Sequence, residues 1–254
     1  MPIDDLGTFV ALSRAPRRVV SLVPSLTEAI AASAPDVLVG ATDWCSHPAD
    51  LDVPRVRGTK NPDLAAIARL RPDLVVANRE ENRELDVRRL RQAGLPVWVT
   101  VIESLAQALD SMDRLFAEAL AAPRPKWLAQ ARQAWSSPVL CGDDEGPVVV
   151  VPIWRDPWMV VGSRTFTGDV LTRLGARNAF GLAADRYPHV DLAEIDRPDI
   201  DLALLPDEPY RFTPSDGPEA FQHVQPRLVS GRLLTWYGPS LLGAREHLLK
   251  ALTV

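Results

Sequence analysis

Cys45 and His47 lie one residue apart in the segment Gly40 to Asp50, and Trp44 directly precedes them. A thiolate and an imidazole at this spacing can bind a metal ion or act as nucleophile and base. A structural zinc site needs about four ligands, but the remaining histidines show no paired spacing and the chain has no Cys-x-x-Cys. No acid that would orient a catalytic dyad is evident. The segment therefore predicts the wall of a ligand pocket, with Cys45 as a small packing residue and Trp44 and His47 near the ligand.

A second interpretation of Cys45 and His47 stays open. Either side chain could complete, as an axial ligand, the coordination shell of a metal that arrives already chelated. The signatures of common enzymes are absent, since the sequence has no G-x-G-x-x-G after its first strand, no P-loop, no G-x-S-x-G and no H-E-x-x-H. We therefore predict a non-enzymatic binding protein that needs no cofactor. The alternative is an enzyme that acts on the chelate through Cys45 or His47.

Short apolar runs alternate with segments of helical periodicity along the whole chain. The runs predict strands at residues 19–23, 37–41, 74–77 and 97–101. After the first strand, Ser25 with Glu28 three residues later predicts an N-cap and a capping box. The alternation is typical of an α/β fold whose parallel sheets are covered by helices on both faces.

An internal echo divides the chain into two halves. Asp63 and Asp191 each begin a segment that predicts a helix, a Pro-Asp corner and a strand followed by acids. Two Rossmann-like lobes with central parallel sheets are therefore predicted at residues 1–122 and 139–254, joined by a single backbone helix at 123–138. Ligands of open α/β sheets bind at the carboxyl ends of the strands, so we expect the ligand cleft between the lobes.

Aromatic and polar residues follow the predicted strands. The candidate ligand-binding residues are Trp44, Cys45, His47, Asn78, Glu80, Trp154, Arg155, Trp158, Tyr210, Trp236 and Tyr237. Aromatic rings in loops at the open end of two sheets predict a site for a flat, apolar ligand with polar edges. The alternative for residues 154–158 is a hairpin that packs its own tryptophans.

Composition and charge argue against several partners. The net charge is −5 and no basic block stands out, so we predict no nucleic acid partner. No run approaches the roughly 18 apolar residues of a membrane span, so we predict no membrane insertion. We predict a cytoplasmic protein, because the first residues contain no signal peptide. We also predict that the protein is a monomer. An export signal preceding this sequence would instead make the protein periplasmic or attached to the cell surface.

Several motifs resemble a known family. The segments RVVSLVPSLTEAIAA, LRPDLVVAN and AGLPVWV, followed by a lobe-joining helix, resemble the class III periplasmic-binding-protein family. This family of cobalamin and ferric-siderophore receptors belongs to the helical backbone metal receptor superfamily, and the likeness is closest to the cobalamin receptors of vitamin importers. The resemblance implies that aromatic side chains hold a corrinoid or another metal chelate. It also leaves a ferric-siderophore or haem-type receptor as the alternative.

Two positions depart from the pattern that the resemblance implies. Importer-coupled members of the family carry an acid on each lobe that docks on the permease, whereas this chain has Ala65 and Ala193 there. The alternative is that Asp63, Asp191 or Glu194 substitutes for the docking acids. On Ala65 and Ala193, the sequence does not predict an ABC permease as a partner. A third hypothesis is an interaction module that has lost its ligand, in which the aromatic rings pack among themselves.

Overall fold

Two four-stranded parallel sheets form the framework of the protein. The computed structural model describes residues 2–138 and 146–253. The sequence also predicts a polar turn at residues 141–147. Residues 141–145 of this turn lie outside the described residues. The strands are β1 (Val19–Ser21), β2 (Leu38–Ala41), β3 (Arg57–Gly58), β4 (Asn61–Pro62), β5 (Leu74–Asn78), β6 (Val97–Thr100), β7 (Val148–Val150), β8 (Pro152–Trp154), β9 (Met159–Val160), β10 (Arg177–Asn178), β11 (Leu202–Pro206) and β12 (Gln225–Val229).

Helices alternate with these strands, as the sequence predicts. They are α1 (Pro24–Ala31), α2 (Leu64–Arg69), α3 (Glu84–Gln92), α4 (Leu105–Arg114), α5 (Lys126–Ala134), α6 (Phe166–Arg173), α7 (Leu192–Ile195), α8 (Gly231–Thr235) and α9 (Leu241–Leu252). Gly94 and Gly175 follow α3 and α6 with φ of 81° and 79°. This left-handed conformation favours glycine and ends both helices where the sequence predicts.

The chain divides into two compact units. Unit 1 comprises residues up to 102, 106–130 and 237–239, and unit 2 comprises 103–105, 131–236 and the residues from 240 onward. The division falls within α5, at the position of the predicted connecting helix. That helix begins at Lys126 rather than at residue 123, because Pro123 and Pro125 lack the N–H that a helix interior needs.

Unit 1 contains the sheet with strand order β2-β1-β5-β6. One core cluster is built from residues of a single sheet face, such as Val20, Val75 and Val99, packed against Ile67 of α2 and Leu90 of α3. The predicted strands are confirmed to within two residues. Unbroken apolar runs predict them well, because a parallel sheet covered by helices is buried on both faces.

Unit 2 contains the sheet with strand order β10-β7-β11-β12. β11 pairs along its whole length with β12, from Leu202 opposite Gln225 to Pro206 opposite Val229. All five residues of β11 are buried. The internal echo is confirmed as well, since Asp63 accepts a hydrogen bond from Ala66 N at the start of α2 and Asp191 begins α7 with a capping box.

The start of α1 differs from the prediction. The helix begins at Pro24 and the N-cap position is Val23, without a side-chain cap. Proline is favoured in the first turn because it has no N–H to leave unsatisfied and its φ is already helical. Ser25 therefore lies inside the helix, and the capping box with Glu28 is wrong. Glu28 is instead buried against residue 238, where an added Cβ would lie 3.2 Å from its Oε2.

A short hairpin at the N-terminus of unit 1 is not evident from the sequence. Ile3 pairs with Phe9 across a turn, and two acids anchor the turn to the sheet. Asp4, which is 2% exposed, accepts hydrogen bonds from Leu6 N and Thr8 N and forms an ion pair with Arg91 at 2.6 Å. The neighbouring Asp5 accepts a hydrogen bond from the backbone N–H of residue 101 at 3.0 Å.

Candidate functional site

Trp44 is the most exposed candidate residue of unit 1. It lies in the loop after β2 with 66% of its surface exposed. Its ring passes over the backbone of Gly58 in the hairpin formed by β3 and β4: a Cβ on residue 58 would lie 3.2 Å from the indole Nε1 and 2.5 Å from Asn61 Oδ1. A side chain at residue 58 would therefore require the Asn61 side chain to move and the Trp44 ring to shift by a few tenths of an ångström.

The β3–β4 hairpin brings a cation to the same end of the sheet. Lys60 donates a hydrogen bond from Nζ to the backbone carbonyl of Glu80, which follows β5. Trp44, Lys60 and Glu80 thus belong to three neighbouring loops of unit 1. Lys60 was not among the candidate ligand-binding residues. The turn-forming residues Gly58 and Asn61, which lie between apolar positions, could have indicated a hairpin that carries it.

Cys45 lies in the interior of unit 1. It is 0% exposed, its Sγ accepts a hydrogen bond from Thr27 Oγ1 at 3.0 Å, and Thr42 Oγ1 lies 3.1 Å from the same sulfur. Burial raises the pKa of the thiol, although both threonines oppose the shift. These facts confirm Cys45 as a packing residue and contradict the alternative that it contacts a ligand or a metal, because the sulfur has no exposed surface and stays protonated at neutral pH.

We expect Cys45 to resist alkylation. Iodoacetamide should modify it at least about 100-fold more slowly in the folded protein than in denaturant, since the thiolate must form and become exposed before it reacts. Peptide-resolved mass spectrometry measures the rate at this residue alone. Similar alkylation rates in the folded and denatured protein would show that Cys45 is accessible.

The raised pKa of Cys45 also has a consequence for stability. The thiol's contribution to the free energy of unfolding is constant below its ordinary pKa of 9.0 and is lost as the pH rises above it.

His47 lies in the same loop as Trp44 and is half-buried. Its Nδ1 is 3.1 Å from the hydroxyl of Ser46. This contact orients the imidazole ring. Of the two residues predicted as axial ligands, His47 is the one with exposed surface, and its role at a metal stays a prediction.

Asn78 shapes the loop after β5 rather than contacting a ligand. It is 2% exposed; its Nδ2 donates to Thr100 Oγ1 at 3.0 Å and its Oδ1 accepts from Glu80 N at 2.8 Å. Both ends of the amide are thus used, which contradicts the prediction that Asn78 binds a ligand. The loop instead presents Glu80 and Glu81, both half-buried. Burial raises the pKa of Glu81, and Lys60 opposes this shift.

In unit 2, Trp154 and Tyr210 form an exposed aromatic pair. Trp154 ends β8 and is 45% exposed, and Tyr210 follows β11. Their ring centroids are 5.6 Å apart with an interplanar angle of 76°, an edge-to-face contact. Tyr210 donates a hydrogen bond to Asp216 Oδ2 at 2.6 Å, and this bond raises the pKa of the phenol while lowering that of the carboxyl group.

Arg155 holds Asp216, the hydrogen-bond partner of Tyr210, in place. Its Nη1 donates to Asp216 and, at 2.5 Å, to Glu219 Oε1. The hydrogen bond to Glu219 is the largest cause that raises the pKa of the guanidinium. Arg155 was predicted to meet a ligand, but two carboxylates already occupy this nitrogen. It is better described as a positioning residue for Tyr210.

Three predicted aromatic contacts are buried. Trp158 is 7% exposed and stacks on Phe212 with centroids 6.0 Å apart and an interplanar angle of 8°. Trp236 and Tyr237 are 5% and 7% exposed. Trp158 belongs to the core of unit 2, which contradicts its predicted ligand contact, whereas the ligand contacts of Trp236 and Tyr237 stay predictions.

The alternative of a hairpin is confirmed, since β8 and β9 pair antiparallel. Its two tryptophans pack on residues outside the hairpin, Trp154 on Tyr210 and Trp158 on Phe212.

Within residues 2–138 and 146–253, no three His, Cys, Asp or Glu side chains come together in a way that could hold a metal ion. The same residues contain no helix long and apolar enough to cross a membrane.

The chain is similar in sequence to two named bacterial proteins. It is 30% identical over 185 residues to the vitamin B12-binding protein of Salmonella paratyphi A, an alignment that covers 70% of this chain and 68% of the relative. It is 24% identical to an uncharacterized ABC transporter substrate-binding lipoprotein of Bacillus subtilis, over 98% of this chain and 84% of the relative. No family model matches the chain.

Solved structures share the fold. The periplasmic vitamin B12 binding protein of Vibrio cholerae has a TM-score of 0.71 at 18% identity, with 94% of this chain and 97% of that chain covered. The apo form of a periplasmic heme-binding protein from Roseiflexus has the same TM-score of 0.71 at 19% identity, with 93% and 99% covered. At these identities the likeness shows a common two-lobed α/β architecture.

Proposed function

Since the chain belongs to the class III periplasmic-binding-protein family, we propose that it is a non-enzymatic receptor for a corrinoid or another metal chelate. One observation carries the proposal: the two exposed tryptophans lie at strand ends, Trp44 in the loop after β2 and Trp154 at the end of β8. Large exposed rings at strand ends provide a flat apolar surface on which a macrocycle can pack. Because these rings are exposed, the core does not need them. The relative named for vitamin B12 supports a corrinoid.

A haem-type or ferric-siderophore receptor is the second candidate. Lys60 favours it, because its ammonium group lies at the same end of unit 1 as Trp44 and can meet a carboxylate on the edge of a chelate. Corrinamides carry no such anion, whereas haem and many siderophores do. The solved heme-binding relative in the fold comparison is consistent with this candidate.

The partner and the location remain predictions. The Bacillus relative is named as part of an ABC transporter and as a lipoprotein, and the Vibrio structure as periplasmic, so the relatives give no support for a cytoplasmic location. Ala65 and Ala193 are exposed at the first turns of α2 and α7. The acids beside them cap those helices, Asp63 through Ala66 N and Glu194 through the backbone N–H of Asp191, which supports the prediction that no docking acid projects there.

The role of His47 can be tested by spectroscopy. We propose that its imidazole replaces water on the metal of aquocobinamide, so the visible band of the bound corrinoid should shift when it binds. His47→Ala should abolish the shift, and His247→Ala, which removes an exposed imidazole from α9, should leave it unchanged. A shift that persists in His47→Ala would remove His47 from the metal. Failure of every variant to bind any chelate would overturn the receptor function itself.

A further inference from the structure

A buried asparagine holds together the loops at the carboxyl end of the unit 1 sheet. Asn82 lies four residues beyond the end of β5 and is 4% exposed. Its Oδ1 accepts a hydrogen bond from Asn78 N at 2.9 Å, and its Nδ2 donates to Thr59 O at 2.9 Å and to Leu22 O at 3.3 Å. Both hydrogens and the oxygen of the amide are therefore used. Asn82 was not among the candidate ligand-binding residues.

The three partners of Asn82 belong to three different segments of the chain. Leu22 directly follows β1, Asn78 ends β5, and Thr59 lies at the turn between β3 and β4. Each partner atom is a main-chain atom, so the amide fixes the path of the chain itself. The β3–β4 hairpin forms a two-stranded sheet of its own. Asn82 thus ties the turn of this hairpin to the ends of the two central strands of the four-stranded sheet.

The position of the hairpin decides where two residues of the proposed chelate surface lie. Asp43 N donates to Arg57 O at 2.9 Å, which joins the loop after β2 to the hairpin. In the same loop, the Trp44 ring lies against Gly58, where an added Cβ would be 3.2 Å from the indole Nε1. Lys60 is carried by the hairpin turn itself. A shift of the hairpin would therefore move both Trp44 and Lys60.

From this arrangement we infer that Asn82 is a positioning residue of the receptor site: its amide fixes the β3–β4 hairpin, and with it Trp44 and Lys60, before the chelate binds. The inference rests on the proposed function. Buried hydrogen bonds between polar groups hold their members in one arrangement. A surface that is already ordered loses less conformational freedom when a ligand binds, so its affinity is higher.

Hydrogen–deuterium exchange tests the position of the hairpin without any ligand. Asn82→Ala leaves the carbonyls of Leu22 and Thr59 without this donor, so the hairpin should open more often. Exchange in peptides that cover residue 43 and residues 57–61 should accelerate by at least about tenfold.

Asn178→Ala is the matched control for this experiment. Asn178 belongs to unit 2, and its amide also donates to two backbone carbonyls, at 3.1 Å each, and accepts from a backbone N–H at 3.1 Å. Its removal should leave exchange of the unit 1 hairpin unchanged. Equal acceleration by the two substitutions, or no acceleration by Asn82→Ala, would overturn the inference.

Asn82→Asp tests the consequence for binding. The carboxylate keeps the shape of the side chain and its acceptor but has no donor for Thr59 O. At pH 8 the variant should bind cyanocobalamin, dicyanocobinamide or haemin, whichever the unchanged protein binds, at least about tenfold more weakly. Protonation returns one O–H donor, and burial raises the pKa of a carboxyl group. Affinity relative to the unchanged protein should therefore be at least about threefold higher at pH 6 than at pH 8.

This recovery separates a positioning role from a merely stabilising one, because the affinity of a variant that is only less stable does not follow the new carboxyl group. Circular dichroism melting confirms that each variant is folded at the temperature of the titration. Unchanged affinity of Asn82→Asp at pH 8 would overturn the inference. If the unchanged protein binds none of the three chelates, the failure is that of the receptor function, and the exchange comparison alone decides whether Asn82 holds the hairpin.

Discussion

Replacing both Trp44 and Trp154 with alanine is expected to weaken binding of the preferred chelate by roughly 100- to 1,000-fold. Aromatic residues that dominate an interface typically cost about 2 kcal/mol each when truncated. The two residues belong to different units, and effects at separate sites usually add. Equilibrium titration of the visible chelate band measures the loss for each single variant and for the pair.

The control substitutions test whether the rings themselves matter. Trp44→Phe and Trp154→Phe retain an aromatic face and should recover most of the affinity. Leu242→Ala removes another exposed apolar side chain, on α9, and should change affinity less than about twofold. If the double alanine variant bound as tightly as the unchanged protein, the two tryptophans would not be the ligand surface.

Replacing Trp158 with alanine is expected to lower the free energy of unfolding by about 3 to 5 kcal/mol, the typical cost of truncating a buried aromatic residue. Its ring is buried in the core of unit 2, stacked on Phe212 and in edge-to-face contact with Phe221 at 5.8 Å. Arg155 also lies over the ring, 5.5 Å from its centroid. Removal would leave a cavity that these neighbours cannot fill without shifting.

Urea denaturation measures this loss, with Trp154→Ala as the control in the same hairpin. Trp154 is 45% exposed, so its removal should cost about 1 kcal/mol or less. A Trp158→Ala variant of normal stability that no longer bound the chelate would contradict the assignment, because Trp158 would then be a contact residue and not a core residue.

The elements of the fold could be predicted closely from the sequence. Strands such as β5 and β11 are unbroken apolar runs because both faces of each sheet are buried. The helix boundaries at Gly94 and Gly175 follow from the left-handed conformation that ends a helix. The boundary at Ser25 was wrong because two local signals competed, and proline at the first turn outweighed a serine that suits the cap.

The site could be predicted only in part. Sequence places an aromatic residue after a strand, but tertiary packing decides whether its ring faces solvent, as for Trp154, or the core, as for Trp158. The same limit applies to Cys45, whose burial depends on Thr27 of α1, 18 residues away in sequence. The N-terminal hairpin was missed because its anchor is the buried pair of Asp4 and Arg91, which are 87 residues apart.

The most direct test of the receptor function is a desalting experiment. The protein is mixed with cyanocobalamin, dicyanocobinamide or haemin, passed through a gel-filtration column and examined for the visible band of the chelate. We predict that one of these chelates elutes with the protein at a ratio of about one to one, and that the colour is lost with the Trp44→Ala, Trp154→Ala double variant. Elution of colourless protein with all three chelates and with ferric siderophores would contradict the account.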